Sequence, residues 1–145
     1  MAGRLAKFLA LPAAERAALV RALIWLPLTA AQLRLSGFEA ASRSIQAARA
    51  GGRTLEPRVL ARLVAIASRH GVVRGNCLSQ SLTLQRLLRR QCIASELRIG
   101  VRRAGAALEA HAWVELDGRP LNDSADVAQR YAPFDGLASA LPPLV

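Results

Sequence analysis

The chain has 145 residues, 52% of them hydrophobic and 21% charged, with a formal net charge of +10. That length fits one domain able to bury about two-thirds of its unfolded surface, and the composition excludes a disordered chain. Cys77 and Cys92 are too few for a disulfide scaffold. Of the 20 basic residues 19 are Arg and one is Lys7, so part of the charge fits GC-rich coding. The rest favours an acidic partner: a peptide, a nucleic acid or a membrane surface.

The first 70 residues read as helical. Pro12 suits a first helical position, and Glu15 suits the first turn, where an acid complements the helix dipole. Leu19, Val20, Leu23 and Ile24 then form an apolar stripe, with Gly37 as a stop. Such a stripe is either a docking surface for partners or core, and core is the commoner reading. The longest uncharged apolar stretch, residues 22–33, contains Pro27 and is shorter than the about 20 residues a membrane span needs. Charged residues also interrupt the N-terminal apolar run before it reaches the length of a signal core. The expectation is a cytoplasmic protein with reduced thiols and no transmembrane segment.

Ala50-Gly51-Gly52 marks a turn. Pro57 opens a second helical pattern through Val59, Leu60, Leu63, Val64 and Ala67, and Gly71 caps it. A third pattern runs over residues 77–90 through Leu78, Leu82, Leu84, Leu87 and Leu88. The period then changes from helix to strand. Leu97, Ile99 and Val101 alternate with Glu96, Arg98 and Arg102, as in a half-buried strand. Ala104-Gly105 turns the chain into a second strand at 108–115, and Asp117-Gly118 joins it to a third at 119–122. The tail, with Tyr131, Phe134 and three prolines, reads as irregular or briefly helical. Helices followed by an antiparallel meander make an α+β fold. Residues 1–70 form a helical region and 71–145 a core region, together one compact domain.

Cys77 stands at the start of the helix before the sheet. A thiol must become a thiolate to attack a carbonyl, and a helix N-terminus offers partial positive charge and free N–H groups. The same N–H groups can hold an oxyanion, with Arg74 or Asn76 as further donors. Cys92 follows Arg89-Arg90-Gln91 at the helix exit and reads as a core or junction residue. Of the two histidines, His70 sits at a predicted helix C-terminus, where it satisfies carbonyls and the dipole. His111 sits mid-strand in EAHAWVEL. A three-residue loop at 116–118 would oppose Glu115 with Arg119, Trp113 with Leu121 and His111 with Asp123. A two-residue Asp117-Gly118 loop would instead set Trp113 against Asn122 and Ala112 against Asp123. Complementarity favours the first register, which also yields a His–Asp pair.

The segments NCLSQSLTLQRLLRRQCIASELRIGVRR and LEAHAWVELDGRPLND resemble the leader peptidases of lasso-peptide biosynthesis. These transglutaminase-like cysteine proteases are often called B proteins. The similarity covers about residues 75–123 and, more loosely, the helical start KFLALPAAERAALVRALIWLPL. It implies a transglutaminase-like or papain-like core with a catalytic helix packed on a small antiparallel sheet. The triad carries over onto Cys77 as nucleophile, His111 as base and then acid, and Asp123 as orienter of His111. Ser81 and Trp113 match motif positions as supporting residues. The implied substrate is a ribosomal precursor peptide cut at its leader–core junction. An asparagine-synthetase-like cyclase then closes the core. Residues 1–70 show no strand-turn-strand pattern for a leader-recognition domain. The resemblance is therefore to the split form, which works with a separate leader-recognition protein.

Two rivals stand beside this reading. The same triad serves transglutaminase-like acyltransferases, which differ in acceptor and not in nucleophile. A non-catalytic domain could bind nucleic acid or a membrane surface through Arg86, Arg89, Arg90, Arg102 and Arg103. Against it, aromatic residues make up only 4% of the chain, leaving few stacking platforms. No Cys/His cluster suggests a metal, and no cofactor is expected.

Overall fold

A computed structural model describes residues 2–52, 54–72 and 75–133. Arg74 and the tail from residue 134 lie outside the described residues. Four helices precede the sheet: α1 (Ala2–Ala10), α2 (Ala13–Gln46), α3 (Pro57–His70) and α4 (Cys77–Arg90). Strands β1 (Glu96–Ala104), β2 (Ala107–Leu116) and β3 (Arg119–Pro120) follow, then a single turn α5 (Val127–Arg130) and β4 (Ala132–Pro133). All pairings are antiparallel, in the order β3-β2-β1-β4, so the fold is α+β.

The central element is α4. Nine of its 14 residues are buried, including all five predicted leucines, so it is enclosed on nearly every side. Its buried hydroxyls and one arm of Arg86 are held by neighbours. The Thr83 hydroxyl donates to the Ser79 carbonyl at 2.7 Å, and Arg86 donates to Ser44 Oγ at 2.6 Å while its guanidinium lies 3.8 Å over the Trp25 ring. One core cluster joins Ala18, Leu19 and Ala22 of α2 to Leu63 and Val64 of α3, Leu84 and Leu88 of α4, and Val114 of β2. The stretches on either side of residue 70 therefore share one core.

The helix α2 departs from the sequence reading. Gly37, at φ +83°, breaks its helical path where a stop was expected, but the chain resumes as helix to Gln46. Pro12 is the N-cap residue and Ala13 the first helical position. Of the predicted stripe only Leu19 is buried; Val20, Leu23 and Ile24 are exposed. The inner face is Ala18, Leu19, Ala22, Leu26 and Thr29. Small residues on that side let α2 approach Ala61 and Ala67 of α3 closely, which leaves the larger side chains outside. By length and composition α2 is apolar enough to cross a membrane.

In the sheet, β1 and β2 form a long hairpin with Gly100 opposite His111 and Ile99 opposite Ala112. A Cβ on Gly100 would come within 2.8 Å of Tyr131 Cβ and 3.1 Å of the Trp113 ring, so only glycine admits this packing. The β2–β3 register is not the favoured one. Leu116 opposes Arg119 and Glu115 opposes Pro120, which makes Asp117-Gly118 a two-residue loop. Both loop residues have positive φ, 51° and 75°, as a type I′ turn requires. Glu115 accordingly pairs with Arg98 at 3.2 Å and accepts Trp113 Nε1–H at 3.0 Å, not Arg119. Cys92 is an exposed junction residue with φ +60°, the second of the two places its sequence position allowed.

Candidate active site

The start of α4 is pinned from several directions. Asn76 is the N-cap, its side-chain oxygen accepting the Ser79 N–H at 2.8 Å. The Gly75 carbonyl accepts from Gln80 Nε2 at 2.8 Å and Ser68 Oγ at 3.3 Å. A Cβ on Gly75 would meet Leu26 at 2.8 Å, so the approach to Cys77 is tightly packed. These contacts fix Cys77 as the first residue of the helix, half-buried against the cluster of Leu78, Leu82 and Ala112. The N–H groups of Cys77 and Leu78 have no intrahelical acceptor, as the first turn of any helix dictates, and such groups are the kind that hold a carbonyl oxygen. Asn76 spends its side-chain oxygen on the cap.

His111 and Asp123 meet, but not as cross-strand neighbours. The ladder between β2 and β3 ends after two pairs. The Leu121 N–H still donates to the Val114 carbonyl at 2.8 Å, but the Val114 N–H is taken at 2.8 Å by the side-chain oxygen of Asn122. The Asn122 side chain thus replaces backbone at the point where the chain leaves the sheet, and the following residue is free to swing toward His111. His111 Nε2 is hydrogen-bonded to Asp123 Oδ2. The other carboxylate oxygen accepts the Ser124 N–H at 2.7 Å and Arg130 Nη2 at 3.0 Å. Burial raises the Asp123 carboxyl, yet the hydrogen bonds from His111 and Ser124 outweigh it and hold the group below its ordinary range. The imidazole also packs against the Tyr131 ring, 4.8 Å between centroids.

Ser81 relates the helix to the strand. Its hydroxyl donates to the Ala112 carbonyl at 3.2 Å and accepts from Asn122 Nδ2 at 3.1 Å. Ala112 and Val114 direct their polar groups to the same edge of β2, the edge that β3 leaves open. Cys77 lies four residues before Ser81, about 6 Å lower on the same helix face. Leu84 and Leu88, further along α4, share a cluster with Val114, so helix and strand advance in the same direction. That places Cys77 level with Ala110 and His111. The side chains alternate, however. Ala112 and Val114 face α4, whereas His111 and Trp113 lie on the face covered by Tyr131. No hydrogen bond joins Cys77 Sγ to His111 in this structure. The imidazole–carboxylate half of the predicted triad is formed, and the thiol stands beside the strand with the thiol–imidazole bond unmade.

The remaining expected residues fall elsewhere. His70 is exposed at the end of α3, and Trp113 is fully buried with Val127 and Tyr131. Asn122, Arg130 and Tyr131 were not singled out from sequence as parts of the site. The signal for Asn122 was available, because an Asn before the Asp can end a strand by side-chain substitution. Arg130 and Tyr131 gave none, since their placement depends on how the loop after β3 folds back.

No match was found among curated proteins or among solved structures. A family model described as the transglutaminase-like superfamily matches residues 16–135, which takes in α2 through β4 and all three candidate residues. The chain belongs to the transglutaminase-like superfamily.

Proposed function

We propose that this protein is a cysteine peptidase that removes the leader from a ribosomal lasso-peptide precursor before the core is cyclised. The observation that carries the reading is the His111–Asp123 hydrogen bond on β2, the strand that Ser81 ties to the helix opened by Cys77. The family supports cysteine chemistry in general, and the segments over residues 75–123 support the narrower substrate by resemblance.

In this mechanism the Cys77 thiolate attacks the scissile carbonyl, forming a C–S bond while the oxyanion is held by the Cys77 and Leu78 N–H groups. Imidazolium His111 gives its proton to the leaving amine as the C–N bond breaks. Water then adds to the thioester with His111 as base, releasing the leader carboxylate and restoring the thiol. Asp123 keeps the ring oriented. In this reading the imidazole turns from the Tyr131 side of β2 toward the start of α4 when substrate binds, and the Cys77–His111 contact forms only then. A separate leader-recognition protein and an asparagine-synthetase-like cyclase are the partners in this reading.

The test is to incubate a leader-bearing precursor with the chain and its leader-recognition protein in water enriched in heavy oxygen. Two fragments, with the label in the new carboxylate of the leader, are expected. An intact precursor carrying added mass would instead show acyl transfer and overturn the peptidase reading.

A further inference from the structure

The helices α1 and α2 carry an outward surface that the catalytic reading does not use. On α2, Ala17, Val20, Ile24, Leu28, Ala31 and Leu35 are all exposed, Leu35 to 86% and Ile24 to 52%. At 100° per residue these positions fall within a stripe roughly 80° wide, and it runs about 27 Å along the helix. No charged residue interrupts it. Phe8 of α1 lies with Ala17 and Val20 around an open hollow of 460 Å³, and Leu5 and Leu9 of α1 are exposed to 61% and 57%. Scattered apolar residues on a surface are ordinary, but a continuous stripe on two adjacent helices is not.

The charges around the stripe have one sign. Arg16 and Arg34 flank it on one side and Arg21 on the other, with Arg4 and Lys7 on α1. Among the described residues none of these five has a carboxylate partner. The only acid on α1 or on residues 13–36 is Glu15, which turns inward to Arg62 of α3 at 3.0 Å. A second copy of the chain would bring the same cations and a further +10 against this face. The complement is anionic and apolar together.

We propose that this face docks the protein peripherally on an anionic lipid surface. The axis of α2 would lie in the plane of the bilayer, with its stripe in the acyl boundary and its arginines among the headgroups. Helix α2 does not cross. Its inner side is locked into the core with α3 and α4, and only 28% of its apolar window is buried, so most of that apolar surface faces outward. Leu23 lies 3.3 Å from a Cβ built on Gly71, next to the fully exposed Val72. This inference stands independently of the peptidase reading.

The test is co-sedimentation of the full chain with vesicles of phosphatidylcholine, with and without phosphatidylglycerol. Binding to the phosphatidylglycerol vesicles that weakens with salt is expected. The double change Ile24→Glu with Leu28→Glu should lower it at least tenfold, with the circular dichroism spectrum unchanged. Leu108→Glu, which alters an equally exposed leucine on the β1–β2 hairpin, should leave it unaltered. Absence of binding to anionic vesicles, or equal loss in the Leu108→Glu control, overturns the proposal. So does a wild-type dimer that the double change converts to monomer, which would assign the face to a second copy.

Discussion

Helices α4 and α2 are both rich in leucine, yet they solve opposite problems. On α4 the leucines point inward, and the polar side chains of Ser79, Ser81 and Thr83 are buried as well. On α2, Ala18 and Ala22 pack inward with Leu19 and Leu26, while Val20, Ile24, Leu28 and Leu35 face out. The first pattern holds a site rigidly, because each buried hydroxyl must find its partner and so fixes the register of helix against strand. The second exposes a surface whose energetic return comes only when something covers it.

The largest effect is expected where the α4–β2 junction meets the chemistry. Asp123→Asn should keep the fold and slow precursor cleavage by about 10²- to 10⁴-fold, because the imidazole loses its orienting anion; steady-state kinetics with a circular dichroism control reads both. Next is Leu82→Ala, which opens a cavity under Ala112 and should cost about 2–5 kcal/mol in denaturant unfolding. Asn122→Ala should cost about 1–3 kcal/mol, since the Val114 N–H is left without its acceptor and Ser81 loses a donor. It should also depress cleavage, because Asp123 is the next residue. The smallest effect sharpens the contrast. Ile24→Ala, on the outer face of α2, should change unfolding by no more than about 0.5 kcal/mol.

Acid should separate the site from the rest of the fold. The Asp123 carboxyl is held below its ordinary value of 3.8 in the folded chain. Its contribution is therefore complete above that pH and is lost as pH falls through the lower folded value. Thermal midpoints recorded from neutral pH downward should fall more steeply below 3.8 for the wild type than for Asp123→Asn.

What could be read from the sequence followed the strength of the periodic signal. The leucine spacing of α4 and the alternation through Leu97, Ile99 and Val101 each admit one dominant reading, and the structure has both elements. The stripe through Leu19, Val20, Leu23 and Ile24 marked a helix correctly but could not say which face is inside. Close packing of α2 on α3 reversed the natural guess by selecting alanines. The hairpin register was misjudged for a different reason. Charge matching favoured Glu115 with Arg119, whereas a type I′ turn at Asp117-Gly118 and the Asn122 side chain set the actual pairing. The His111–Asp123 contact was thus reached in the structure by a route other than the one that suggested it. Cys77 was placed at a helix start by sequence and stands there, on the α4 side of β2, while His111 lies on the Tyr131 side.

The most direct measurement is single-turnover cleavage of a leader-bearing precursor by the wild type, Cys77→Ala and His111→Ala, each checked for native circular dichroism. Cleavage by the wild type alone, with both variants silent, is the predicted result. Cleavage surviving Cys77→Ala within about tenfold of the wild type would contradict the account, because triad chemistry leaves no substitute for its nucleophile.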